Sequence, residues 1–378
     1  MSKGRKVGIG LVGLVVIGWV GIQGVSRYAT RNFQLPPQDQ LDSIVALDQG
    51  WSGADAQWYW HASQGGSFEL PMPYEWLVNL ERPEVAPTIF SEVGLLFAPD
   101  YISRFGFLTN PDTSYDYDSL TLHWAEEPGL STLSLYEENN PDALPIGFTR
   151  FEDWIDERTQ ERVDVMGFSC AACHTGQLNY NGTGIRIEGG PALTDLGKFR
   201  DAVGIALAMT YYIPTRRARF IERVHGLDAT DEQVAELERK LKTLISRGRA
   251  LADYEAANGI YPVIEGFGRL DAIGRIGNFV FGEEITWENL VPADAPVNFP
   301  HIWDTPWFDW VQYNASFSQP MMRNAGESMG VFASVNMGDT TYFGSGEEVD
   351  TILPFQSTIN VVNLHEMESL IGGQAPYE

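Results

Sequence analysis

The most regular alternation of apolar and polar positions follows Thr230. Val234, Leu237, Leu241, Leu244 and Ile245 recur at helical spacing, and Thr230-Asp231-Glu232-Gln233 supplies an N-cap with an amide three residues on. This pattern predicts a helix running to about Asn258, where Gly259 and Pro262 stop it. A different pattern opens the chain: Val7 to Ile22 is uncharged and apolar after Lys3, Arg5 and Lys6. Such a run reads as an export signal or an anchor. Counted through Val25 it nears the length that spans hydrocarbon, and no Ala-x-Ala site follows before Arg27. The expectation is therefore an uncleaved anchor over residues 1–28 in a bacterial inner membrane, with a periplasmic body. A cleaved signal, weighed because the run is rich in glycine, places the body on the same side.

Elsewhere periodicity is weak. Residues 29–165 are rich in Pro, Gly, Asp, Trp and Tyr, with short apolar stretches such as Gly94 to Ala98, and are expected to form an irregular N-terminal domain. Pro292 to Pro306 reads as loop. Trp303, Trp307, Phe308, Trp310, Tyr313, Phe317 and Phe332 crowd one later region, as core or as the wall of a flat apolar cofactor.

Composition narrows the partners. With 378 residues, 44% apolar and 12% aromatic, the chain can bury a large core. Its formal charge of -26 and the lack of a basic run argue against binding nucleic acid, whose phosphates it would repel. The acidity reads as a solvated surface or as complementary to a basic redox protein.

The only two cysteines stand in Cys170-Ala171-Ala172-Cys173-His174. On a helix, positions i, i+3 and i+4 share a face, so both thiols would meet the two vinyl groups of a porphyrin while His174 reaches its iron. A disulfide, a thioredoxin-like pair and half a zinc site are the alternatives. Zinc lacks further cysteines, and neither thiol reading needs His174. Covalent haem c is the reading that uses all three residues. No second axial ligand is identifiable among His61, His123, His225, His301 and His365; His301, in Asn298-Phe299-Pro300-His301, is the first candidate. Met209, Met321, Met322, Met329 and Met337 are alternatives. Arg186 and Arg269 are candidate propionate partners.

Several segments, taken in order, carry a resemblance: Cys170 to His174, Gly189-Gly190-Pro191-Ala192, Gly268-Arg269-Leu270-Asp271-Ala272, Phe299-Pro300-His301-Ile302-Trp303-Asp304, and Arg323-Asn324-Ala325-Gly326-Glu327. From about residue 90 onward the chain resembles bacterial dihaem c-type cytochromes related to rubber oxygenase, distant kin of dihaem cytochrome c peroxidases. The resemblance implies a mainly α fold with long irregular loops: a cytochrome c-like haem core with large extensions, occupying residues 166–378 after the anchor and the N-terminal domain. It implies that His174 is the proximal ligand of a reactive haem with aromatic residues over the opposite face, where Phe317 and Phe332 match best. The family carries a second Cys-x-x-Cys-His, and this chain has no third cysteine. A second haem is thus expected only in a longer protein, beyond residue 378.

The functions left open are electron transfer through the haem, oxygenase cleavage of an apolar unsaturated substrate, peroxidase chemistry fed by a second haem, and a haem-binding scaffold. The chain is longer than one electron-carrier module needs, which favours an oxidoreductase.

Overall fold

The computed structural model describes residues 35–373 apart from 38–39, 69–70, 85–87, 89–90, 122–138, 156–161, 304, 311–314, 316, 319 and 336–356. The elements in chain order are β1 (Ser43–Ala46), α1 (Gly53–His61), α2 (Tyr74–Val78), α3 (Pro99–Ile102), β2 (Phe148–Ile155), β3 (Arg162–Phe168), β4 (Thr175–Tyr180), β5 (Thr183–Glu188), α4 (Leu196–Tyr212), α5 (Pro214–His225), α6 (Asp231–Asn258), β6 (Arg269–Leu270), α7 (Ala272–Gly277), β7 (Val297–Asn298), α8 (Pro320–Gly330) and α9 (Val361–Gly373).

The expected mainly α, cytochrome c-like core is corrected by three small sheets: β1-β5-β4, β2-β3 and β6-β7. β1 runs parallel to β5, and β4 is antiparallel to it. The two-residue period that would have announced β5 is inverted. Gly184, Arg186 and Glu188 face inward while Ile185 and Ile187 are only half-buried, so hydrophobicity alone does not mark the strand. The motif is correspondingly not on an α-helix. Cys170–Ala172 form one 3-10 turn between β3 and β4.

The anchor and the inner-membrane location are corrected as well. Among the described residues no helix is long and apolar enough to cross a membrane, and the run read as an anchor lies outside them, so the structure lends that placement no support.

The long helix forms as its pattern predicts. Thr230 and Gln233 cap it reciprocally, and Gly259, at φ 62, ends it in the left-handed conformation. Its buried Leu237, Leu241 and Leu244 join the larger core, whose centre is aromatic. Phe199 of α4 has Phe68, Phe97, Phe105, Phe107, Phe148 and Phe168 around it, with ring centroids between 5.1 and 6.5 Å. Phe168 ends β3 two residues before Cys170, so the motif turn is anchored in this aromatic packing. A second cluster, around Trp58, Tyr59, Trp60, Met367 and Leu370, lies on its other side. Cys173 packs against the first cluster and Cys170 against the second. The motif is a seam between α1, α9 and the aromatic core.

Candidate functional site

The turn is built locally and then fixed from afar. Ser169 caps it, accepting from Ala171 N–H, and its own hydroxyl donates to the Trp60 carbonyl at 3.0 Å. The amide of His174 donates to the Cys170 carbonyl at 2.9 Å. Gly147, at φ 92, lets β2 approach so closely that a Cβ there would lie 2.3 Å from the Ala172 Cα. The carbonyls that follow are taken in order: Ala172 by the Thr194 hydroxyl at 3.2 Å, Cys173 by Ala192 N–H at 3.0 Å, and His174 by Gly189 N–H at 2.9 Å and the Tyr59 hydroxyl at 3.2 Å. The carbonyls of Cys170, Ala172, Cys173 and His174 are thereby all engaged, which sets the position of the turn.

The remaining motifs of the sequence converge on this turn. Gly268 N–H binds the Thr194 carbonyl, Phe299 N–H binds the Gly268 carbonyl, and Ile302 N–H binds the Gly189 carbonyl, each at 3.0 Å. These bonds pin residues 299–302 against the turn and bring the Pro300 carbonyl 2.9 Å from His174 Nδ1. A carbonyl only accepts, so His174 donates from Nδ1 and keeps the lone pair of Nε2 outward. A bond of this kind orients a metal-ligating histidine.

Cys170, Cys173 and His174 keep open surface, yet burial dominates their protonation. It pushes both thiols up to about 12 and lowers His174 to about 4. The thiols are unbridged, and Cys170 Sγ lies 3.4 Å from Gln64 Oε1 and 3.7 Å from Met367 Sδ. Opposite them, α8 and α9 contribute a polar cluster. Arg323 donates to Asn324 Oδ1 at 2.7 Å and to Glu368 Oε2 at 3.0 Å, and Asn324 donates to the same Glu368 oxygen at 2.6 Å. Glu327 is half-exposed, 3.8 Å from Arg323, and burial still raises its carboxyl above the usual range. Its charge reaches both thiols.

The donor set fits a haem. One imidazole with a free Nε2 and two unbridged thiols stand on one turn beside apolar Ala171 and Met367, with the Phe299 ring 6.4 Å from the imidazole. Among the described residues no three His, Cys, Asp or Glu side chains converge as an all-protein metal site would need.

The other sequence candidates are placed as follows. Arg186 is buried against the Trp60 ring, 5.5 Å from its centroid, and donates to the Thr109 carbonyl at 2.6 Å. Arg269 is exposed in β6, opposite Asn298. His301 is exposed and stacks on Trp303 at 4.9 Å, in the segment behind the Nδ1 edge of His174. Phe332 holds a left-handed backbone, φ 70, and meets the Phe279 ring edge-on at 5.1 Å. Phe317 is half-buried at an isolated bridge before α8. His61 is engaged at both nitrogens, by the Phe148 carbonyl and Asn110, and Met209 packs on Arg216. His123 and Met337 lie outside the described residues. The contacts of Tyr59, Pro300, Gln64 and Met367 with the motif are not legible in the sequence, because each meets it across a long sequence separation.

The chain is 39% identical over 361 residues to "Uncharacterized protein y4iJ" of Sinorhizobium fredii (strain NBRC 101917 / NGR234). That similarity covers 92% of this chain and 55% of the relative, so the chain spans about half the length of the curated relative it matches. No family model matches the chain, and no solved structure matches it.

Proposed function

We propose that the chain is a c-type haem protein that acts in oxidoreduction, with the porphyrin tethered to Cys170 and Cys173 and its iron ligated by His174. The observation that carries this reading is the pairing of two unbridged thiols with an imidazole whose Nδ1 is held by the Pro300 carbonyl. A disulfide has no use for the imidazole, and burial that raises both thiols to about 12 leaves neither as the thiolate that a hydrolytic nucleophile requires. When bound, the haem supplies one-electron chemistry and, where its sixth position is open, binding of oxygen or peroxide. The protein's own share is orientation and dryness: Pro300 and Tyr59 fix His174, and the apolar walls limit water. A surface of net charge -26 suits a basic redox partner.

A second reading, a haem-dependent oxygenase or peroxidase akin to the dihaem relatives of rubber oxygenase, is favoured by one feature. Glu327 has a carboxyl raised by burial, within electrostatic reach of both thiols. A carboxyl raised in this way is suited to giving or taking a proton beside the motif, which electron carriage alone does not require. The strained backbone at Phe332 is in keeping with an aromatic held in place for a purpose.

Spectroelectrochemistry of the haem-loaded protein tests the first reading, with reversible reduction and reoxidation expected and irreversible bleaching counting against it. Carbon monoxide added to the reduced protein tests the second. A shifted spectrum is expected from an open sixth position, and an unchanged one assigns the protein to electron transfer alone.

A further inference from the structure

Glu188 is a buried carboxyl that the proposed chemistry does not use. It is 4% exposed at the end of β5, where its register partner is Thr175, the residue after His174. Its Oε2 accepts from Trp60 Nε1 at 2.8 Å and from the Thr175 hydroxyl at 3.0 Å, while Oε1 has no hydrogen-bond partner among the described residues. The neighbouring cation is Arg186, two residues back on the same strand, but its guanidinium is directed to the Thr109 carbonyl and Gln177. Either protonation state of Glu188 is therefore incompletely satisfied. As a carboxylate it leaves one charged oxygen bare in a dry interior; as an acid it has a proton with no acceptor.

The groups facing it come from three elements. Arg186 lies on its own strand, Thr175 is on β4, and Tyr59 and Trp60 reach in from α1. Asp112 acts on Arg186 from the 110–112 loop. Burial raises the carboxyl, Trp60, Thr175 and Arg186 lower it, and the balance leaves it at about 7. Tyr59 ties this carboxyl to the motif: its hydroxyl donates to the His174 carbonyl, and it lies within electrostatic reach of Cys170, Cys173 and Glu188 at once. The carboxyl itself bonds to neither the cysteines nor His174.

We infer that Glu188 is a buried proton-binding site whose occupancy is coupled to the charge of a haem held at Cys170, Cys173 and His174. The inference rests on the haem reading. In an interior of effective dielectric about 20, a unit charge about 10 Å away changes proton affinity roughly tenfold. The more positive, oxidised haem favours the carboxylate; one added electron makes the acid form more stable, and a proton enters with it. The midpoint potential then falls as pH rises through the titration, by about 59 mV in total for a tenfold change in affinity.

The test is a redox titration of the haem-loaded protein from about pH 5.5 to about pH 8.5, with Glu188→Gln and Trp60→Phe beside the wild type. A sloping potential is expected for the wild type and a nearly flat one for Glu188→Gln. Trp60→Phe removes a donor that favours the carboxylate, so its sloping region should move to higher pH, a shift that a merely structural role would not give. Reduced-minus-oxidised infrared spectra provide a second readout, since the carbonyl band of a protonated carboxyl should grow on reduction and be lost in Glu188→Gln. If Glu188→Gln fails to fold, Trp60→Phe and the infrared band still decide. Covalent haem with a wild-type potential independent of pH, or a Glu188→Gln slope equal to the wild type's, overturns the coupling alone. Failure to attach haem overturns the coupling and the haem reading together.

Discussion

At the scale of single residues, burial sets protonation in ways that solution measurements can read. His61 is 3% exposed, bound to the Phe148 carbonyl at 2.7 Å and to Asn110 at 2.9 Å, and desolvation lowers it from 6.5 to about 4. The unfolded chain takes up this proton first as pH falls, so stability present above about 6.5 is lost on the way down to about 4. The loss attributable to His61 is about 3 kcal/mol. Urea unfolding at about pH 7 and about pH 4.5 should show a steeper decline in the wild type than in His61→Gln; equal declines would refute it. The site residues divide by the range of their contacts. Cys170, Cys173 and His174 are legible because thioether attachment and iron ligation need them at fixed local spacing. Pro300, which aims the imidazole through a backbone carbonyl 126 positions away, leaves no local mark. Arg186 shows the converse. Its charge invites a propionate partnership, whereas in the fold it covers Trp60 and binds the Thr109 carbonyl.

At the scale of elements, local codes were readable and tertiary ones were not. The helix Asp231–Asn258 announces itself because its cap, its leucine stripe and its terminating glycine all lie within its own sequence. β5 hides because its inward positions are polar, each answered by a partner elsewhere: Arg186 by Thr109, Glu188 by Trp60. α5 depends on a similar distant answer. Glu81, 1% exposed, faces Arg216, Arg219 and Arg223 at 2.7 to 3.3 Å, and these charges hold its carboxyl below the usual range although burial opposes them. Glu81→Gln leaves the three cations without their counter-charge, Arg216 in a site only 5% exposed. A loss of about 3 to 5 kcal/mol in chemical denaturation is expected, and a loss under about 1 kcal/mol would show that the Arg216 bonds to backbone carbonyls suffice alone. Phe199→Ala should cost a comparable amount, about 3 to 5 kcal/mol, because seven aromatic rings meet there and the space cannot collapse. An unfolding midpoint unchanged by that substitution would contradict the packing described.

At the scale of the whole molecule, segments far apart in sequence assemble one site. α1, β3 to β5, the 299–303 segment, α8 and α9 all reach the Cys170–His174 turn, and the two core clusters meet across it. Covalent haem at that turn is the claim from which the redox chemistry and the Glu188 coupling descend. Its most direct measurement is the intact mass, under denaturing conditions, of the protein produced in a host able to mature c-type cytochromes, with Cys170→Ala/Cys173→Ala as the control. A mass gain of one haem that survives denaturation, present in the wild type and absent from the double variant, is expected. A wild-type protein at its bare polypeptide mass, with both thiols still open to alkylation, would contradict it.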